Sequence, residues 1–366
     1  MKNLTPEQNS NITKRLLLSL ISFIAGAAIT ALAIFAFRGK SSADLDISYS
    51  ETSHPAPGNK NFLVNPLYDC EEYRLLNFRE IKTFESDIRN YIKNFEMQDT
   101  VFHISVYYRD LNSGYWFGIN EKEKFSPSSL MKVPILIAIF KIAETNSAIL
   151  EKQIKYINSR AGIVLGNHSQ NSTETQLVEG ESYSVEQLIE YMIVNSDNEA
   201  TILLYDLLFA YDRDFLIQVQ EDLGFQLEKN VSYGDNIMSV KSYSSFFRVL
   251  YNASYLSPGY SQKALELLAS ANYPFGIREA VPGDVEVAHK WGINSYFDGE
   301  QNIFRQLHHA GIVYMENKPY LLAIMTRGDS REHMNKAIYD ISSIIYNSLD
   351  KELKEHPSSY LGRDME

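Results

Sequence analysis

The hydrophobic positions of this chain change period several times, and each change predicts a different element. Leu16 to Phe37 reads LLLSLISFIAGAAITALAIFAF, 22 residues without a charge. As a helix it would span about 33 Å, enough to cross the hydrocarbon core of a bilayer. A buried core helix would normally carry a polar stripe, and this stretch has only Ser19, Ser22 and Thr30. A small-residue cleavage site can be read at Ala31-Leu32-Ala33, but it falls inside the apolar run, so a retained anchor is expected. Lys2, Lys14 and Arg15 before the span outweigh Arg38 and Lys40 after it, which tips the N-terminus towards the cytoplasm. The expected location is the cell membrane, crossed once, with the remaining chain on the extracytoplasmic side.

Beyond the span, SSADLDISYSETSHPAPGNKN lacks periodicity and reads as a linker. Residues 61–78 are more apolar and are expected to pack onto the domain C-terminal to them. EIKTFESDIRNYIKNF places Ile81, Phe84, Ile88, Tyr91, Ile92 and Phe95 at helical spacing. VFHISVYYRD and GYWFGIN then read as two strands joined by a turn at Asn112-Ser113-Gly114. Helix-like stretches fill most of residues 129–270. Three further strands are expected in VEVAHKW, AGIVYM and PYLLAIMT, succeeded by the long amphipathic pattern HMNKAIYDISSIIYNSL. The predicted fold class is α+β: an antiparallel sheet flanked by terminal helices, an all-helical lobe inserted between its second and third strands, and one transmembrane helix ahead of it. The chain accordingly divides into a short cytoplasmic segment at 1–15, the anchor at 16–37, a linker and N-terminal extension at 38–95, a catalytic domain at 96–350 and a polar tail at 351–366.

Composition narrows the function classes. The formal net charge is -12 and no long basic run exists, which argues against nucleic acid as a partner. The single cysteine, Cys70, excludes an intrachain disulfide and reads as a small buried apolar residue.

Three short motifs carry candidate chemistry. In Ser129-Leu130-Met131-Lys132 the i, i+3 spacing puts an amine beside a hydroxyl on one helical face. A serine needs such a base, and the lysine can serve as one only where burial or positive charge lowers its pKa. The alternative is that Ser129 simply caps the apolar helix VPILIAIFKIAE behind it. Ser348-Leu349-Asp350-Lys351 has the same spacing with nothing around it, and reads as a solvated helix face. Ser196-Asp197-Asn198 offers a proton-passing hydroxyl and an amide, or else a plain helix start. Lys290-Trp291-Gly292 would set positive charge beside a cleft, or is an edge-strand lysine that blocks aggregation.

In this order the three motifs resemble the S-x-x-K, S-D-N and K-T-G set of class A β-lactamases and penicillin-binding proteins. FSPSSLMKVPILIAIF, YMIVNSDNEATILL, VAHKWGI and GIVYMENKPYLLAIMTRG are similar to segments of that family, so the resemblance covers roughly residues 96–350. It implies Ser129 as nucleophile, Lys132 as its base and Ser196 as relay to the leaving nitrogen. It also implies Asn198 on the substrate's amide side chain, Lys290 on its carboxylate, and an oxyanion hole from the backbone N–H groups of Ser129 and of Ile293, next to Gly292. That chemistry needs no cofactor and no metal.

Two departures shape the expected activity. No glutamate between Ser196 and Lys290 heads the family's E-x-x-L-N stretch, and Glu228 is the one nearby substitute as deacylation base. Trp291 stands where the family has Thr or Ser. The expectation is a membrane-anchored active-site-serine hydrolase that opens β-lactam rings through an acyl-enzyme on Ser129 and deacylates slowly. A D-alanyl-D-alanine peptidase acting on peptidoglycan stem peptides and a non-catalytic β-lactam or peptidoglycan sensor remain as alternatives.

Overall fold

Val101–Asp110 (β1) is buried along most of its length, the signature of a strand covered on both faces. A computed structural model of the chain describes residues 63–65, 78–96, 101–157, 175–225, 235–297 and 303–355. The expected membrane span, Cys70 and Glu228 lie outside these residues; among the described ones no helix is long and apolar enough to cross a membrane.

Asp110 ends β1 by accepting, on one carboxylate oxygen, the backbone N–H groups of Asn112 and Ser113 and the Ser113 hydroxyl. That local cage, with Gly114 at φ +75°, turns the chain into Trp116–Ile119 (β2). Val287–Phe297 (β5), Ile303–Val313 (β6) and Tyr320–Gly328 (β7) complete an antiparallel sheet in the order β2-β1-β7-β6-β5. The helix Phe78–Glu96 (α1) and the C-terminal helix Arg331–Glu355 (α8) cover one face, where Phe84, Ile88 and Ile92 meet Ile104, Tyr108, Ile338 and Ile341. α1 therefore belongs to the sheet's core, and the domain begins ahead of the boundary drawn at residue 96.

The other face packs on the inserted lobe. Its centre is Lys132–Ala143 (α2), buried almost all round, as a helix without a polar face must be. Around it stand Val185–Val194 (α3), Asn198–Tyr211 (α4), Phe215–Asp222 (α5), Val240–Tyr251 (α6) and Pro258–Ala269 (α7). Ser184 and Gln187 form a capping box at α3, and Pro258 opens α7 where a missing N–H costs nothing. A two-stranded ribbon, Gln153–Lys155 (β3) with Ser182–Ser184 (β4), interrupts the lobe that the patterns make all-helical. Leu63 and Val64 are buried as expected, both N–H groups donating to Gln262 Oε1.

Two limits of the sheet domain differ from the sequence patterns for the same reason. β6 starts at Ile303 rather than near Ala310, because Gln306, His308 and His309 are buried with hydrogen-bond partners. α8 runs to Glu355, past the expected tail boundary at 351, because Glu352 is buried in a 2.6 Å pair with Lys318 from the β6–β7 connection. Removing one partner of a buried ion pair costs about 3–5 kcal/mol, since it strands the other charge. Glu352→Ala is therefore expected to lower unfolding stability by that amount, measured from the urea midpoint at constant slope.

Candidate active site

The S-x-x-K segment does not begin its helix where the spacing predicts. Ser128–Met131 forms a 3-10 turn and α2 starts only at Lys132. Neither the turn nor α2 has a side-chain cap, so the reading of Ser129 as a simple N-cap falls away. Ser128, at φ +50°, holds the left-handed backbone that non-glycine residues rarely adopt, and its hydroxyl donates to Ile293 O at 2.6 Å. Ser126 is held by three side chains of the sheet: its N–H donates to Gln306 Oε1, its carbonyl accepts from His308 Nε2, and its hydroxyl accepts from Asn294 Nδ2. The loop carrying Ser129 is thus tied to β5 and β6 on both sides of Pro127.

β5 passes directly behind that turn. A Cβ on Gly292 would sit 3.1 Å from Ser129 N and 3.2 Å from Leu130 N, so any other residue would push the turn away by a few tenths of an ångström. Within a strand, a residue's N–H and C=O point to the same side. Because Ile293 O faces Ser128, Ile293 N–H faces the turn as well, and not β6. Ile293 N–H therefore lies on the side of β5 that faces Ser129 N, the side from which an oxyanion hole would draw its second donor.

The lysines converge on Ser196. Lys132 is 2 % exposed, and its Nζ contacts Ser196 O, Ser196 Oγ at 3.1 Å and Asn198 Oδ1 at 2.8 Å. Lys290 is fully buried, and its Nζ donates to Ser196 Oγ at 2.8 Å. Although β5 is the edge strand, Lys290 does not protect an edge; it points inward. Asp197 caps α4 by accepting from Ala200 N–H, so the helix-start reading of this motif holds alongside the chemical one. Its second oxygen accepts from the Thr175 hydroxyl and Gln176 N–H, and Ser196 beside it sits at φ +57°.

The electrostatics arise from this crowding. Burial and the Lys290 charge push Lys132 well below the ordinary lysine range, against a smaller opposing pull from Asp197. Burial pushes Lys290 down to about 7. A neutral Lys132 has two N–H donors for Ser196 O and Asn198 Oδ1, and its lone pair can accept the Ser196 O–H. The Ser196 hydroxyl then stands between two amines whose proton affinities both lie below the ordinary lysine range. Ser348, by contrast, donates to Ile344 O of its own helix, and Lys351 is 74 % exposed on α8.

Sequence reasoning missed Ser126, Asn294, Gln306, His308 and Thr175, which hold the site together without touching its hydroxyls. Gln306 and His308 alternate on the face of β6 that Gly292 and Asn294 occupy on β5, so strand alternation was the signal available. Among the described residues no group of His, Cys, Asp and Glu side chains forms a metal site.

Lys290 also makes stability depend on pH. Between its folded value near 7 and the ordinary lysine value of about 10.4, the unfolded chain binds a proton that the native lysine has released, so stability rises with pH. Lys132, also depressed, acts in the same direction. The urea midpoint of the full-length chain is expected to be higher at pH 9 than at pH 7, and Lys290→Met should flatten that difference. A midpoint that falls over this interval would contradict the burial account.

The family profile described as "Beta-lactamase enzyme family" matches residues 84–349. No curated protein matches the chain. Among solved structures, PBP-A is 20% identical with a TM-score of 0.59, covering 73% of this chain and 97% of its own. A mutant of PBP-A, solved as an acyl-enzyme with penicillin G, is 20% identical with a TM-score of 0.61, covering 76% and 100%. A β-lactamase from Chitinophaga pinensis is 19% identical with a TM-score of 0.60, covering 72% and 99%. At these identities the neighbours establish the serine β-lactamase type of fold. The profile match spans most of the chain, from α1 to near the end of α8, and with the three motifs in their expected order the protein belongs to the beta-lactamase enzyme family.

Proposed function

We propose that the protein is a membrane-anchored serine acyl-transfer enzyme that opens β-lactam rings and releases the product slowly. The observation that carries this reading is the convergence of two buried lysines on one serine hydroxyl, beside a turn whose Ser129 N lies close against Gly292 of an edge strand. Lys132, held neutral by burial and by Lys290, accepts the Ser129 proton as Oγ attacks the lactam carbonyl carbon. The carbonyl oxygen takes up negative charge against the N–H groups of Ser129 and Ile293. As the tetrahedral species collapses, the C–N bond breaks and the nitrogen takes a proton from the Ser196 hydroxyl, which is replenished from Lys132. The result is an ester on Ser129. Lys290 meets the substrate carboxylate, and Asn198, its Oδ1 held by Lys132, presents its amide N–H₂ to the substrate's own amide.

Release of the ester needs a base for water, worth about 10²–10⁴-fold where one is positioned. The sequence between Ser196 and Lys290 carries no E-x-x-L-N glutamate, and this supports a long-lived acyl-enzyme. PBP-A, a structural neighbour, has a mutant captured as its penicillin G acyl-enzyme, which fits the same chemistry. The alternative reading, a D-alanyl-D-alanine peptidase, uses the same acylation half and is favoured by the same missing glutamate.

A fluorescent penicillin should label the full-length chain covalently. Ser129→Ala should abolish labelling, Ser348→Ala should leave it unchanged, and Ser196→Ala should slow it about 10²–10⁴-fold. Labelling that survives Ser129→Ala would sink the mechanism. Mass spectrometry should find a stable penicillin adduct with slow nitrocefin turnover, unaltered by Glu228→Gln; fast turnover that stalls in that variant would make this a competent β-lactamase. The uncharged run from Leu16 to Phe37 supports a retained anchor, so the chain should stay in the membrane fraction after a high-salt wash. A soluble mature form beginning near Ile34 would indicate a cleaved leader.

A further inference from the structure

The two walls of the site, the turn at Ser196 and the strand at Lys290, come from elements far apart in the chain, and one short segment touches both. Asn272 N–H, just past α7, donates to Val194 O at 2.8 Å, and Val194 is the last residue of α3 before the Ser196 turn. The next residue, the buried Tyr273, lies face to face with Trp291 of β5, ring centroids 4.2 Å apart at 16°. Its hydroxyl reaches Asn335 Oδ1 of α8 at 3.5 Å. Four residues further on, Ile277 N–H donates to His309 Nδ1 of β6 at 3.1 Å. An imidazole that accepts at Nδ1 carries its hydrogen on Nε2, so His309 Nε2 donates to His289 Nδ1 at 2.9 Å. His289 directly precedes Lys290 on β5.

This contact set is built for close fit. Gly276, at φ +63°, leaves room for His309: a Cβ there would lie 2.6 Å from Nδ1 and 3.0 Å from Ile338 Cγ2. Gly311, opposite His289 on β6, leaves room for the other ring, since its Cβ would lie 2.7 Å from His289 Cβ. The Tyr273 ring also meets His309 edge-on at 5.5 Å. Two glycines, a stacked aromatic pair and a hydrogen-bonded imidazole pair thus hold residues 272–277 against β5 from behind, while the first of them is bonded to the end of the helix that leads into the Ser196 turn.

We propose that Asn272–Ile277 is a brace that sets the separation of Lys290 from Ser196, with Tyr273 and His309 as positioning residues for the acyl-transfer chemistry. Neither touches substrate; each acts through the strand that presents Lys290. The inference rests on the acyl-transfer reading, but the lysines it positions can be followed without any substrate. Lys290 and Asp197 are the charged groups that act on Lys132, while Lys290 and Arg278 act on His289. Glu279 and Arg331 lie by Tyr273. Burial and the neighbouring Lys290 hold His289 down to about 3, so the imidazole pair stays neutral wherever the enzyme would work. The brace is a constant constraint and not a pH switch.

The test uses the full-length chain with ¹³Cε-labelled lysine and three variants. Tyr273→Ala removes the stack; Tyr273→Phe keeps it; His309→Asn keeps an acceptor near Ile277 N–H but loses the link to His289. In unliganded protein, Tyr273→Ala is expected to move the Lys132 titration midpoint upward by about half a pH unit or more, because a slackened Lys290 repels it less and water reaches it more. The acid limb of penicillin labelling should move with it. Tyr273→Phe should titrate as the wild type does, and His309→Asn should shift in the Ala direction. A folded Tyr273→Ala in which both lysines titrate as in the wild type overturns the brace, as does a Tyr273→Phe shift equal to that of Ala. Should Tyr273→Ala fail to fold, the His309→Asn titration decides by the same criterion. A wild type that no β-lactam labels removes the acyl-transfer reading, while the lysine titrations still decide the brace.

Discussion

Two lysine side chains buried within hydrogen-bonding distance of one serine hydroxyl are costly to any fold, because each loses the water that would solvate its charged form. Here the cost is met by polar partners drawn from a single turn: Ser196 supplies a carbonyl and a hydroxyl, and Asn198 supplies an amide oxygen. What the partners do not offset emerges as depressed proton affinity in both lysines. The same burial that strains the interior lowers the proton affinity of Lys132, which an exposed lysine would keep.

That arrangement dictates much of the surrounding structure. Ser196 reaches both lysines from a left-handed backbone, and Asp197 fixes the turn by capping α4 with one oxygen and holding Thr175 and Gln176 with the other. Lys290 reaches Ser196 from a β5 that crosses immediately behind the Ser129 turn, an approach that Gly292 permits and Ser128 pins through Ile293 O. Left-handed non-glycine residues cost of order 1–3 kcal/mol each. Two of them, Ser128 and Ser196, stand at this site, and the hydrogen bonds around each hold it in place.

The rest of the molecule supplies stiffness. One core lies between the sheet and α1 with α8, the other between the sheet and the lobe centred on α2, so β6 and β7 are immobilised on both faces. An edge strand is ordinarily the least constrained part of a sheet. β5 is restrained from both sides: by the Ser129 turn in front, and by Tyr273 with the His289–His309 pair behind. A site assembled from the lobe and the sheet needs such restraint, since misplacing catalytic groups by about 1 Å can cost 10²-fold in rate.

Local pattern was enough to determine the elements and their class. Short apolar runs bounded by turn residues marked β1, β2 and β7, helical spacing marked α1 and α8, and the apolar run after Ser129 marked the central helix. Motif order was enough to nominate Ser129, Lys132, Ser196, Asn198 and Lys290. Sequence could not tell Ser129-x-x-Lys132 from Ser348-x-x-Lys351 by spacing alone, because both satisfy the same helical geometry. Burial separates them: Lys132 is enclosed beside Ser196, whereas Lys351 is 74 % exposed. The first half of β6 was unreadable for a related reason. Gln306, His308 and His309 look like surface residues until Ser126, Ile277 and His289 arrive from elsewhere in the chain to satisfy them. Hydrophobic periodicity is a property of neighbours along the chain, so sequence determined it. The depressed lysines, the close approach of Gly292 to Ser129 N and the restraint of β5 depend on groups up to 168 residues apart, and only the tertiary structure decided them.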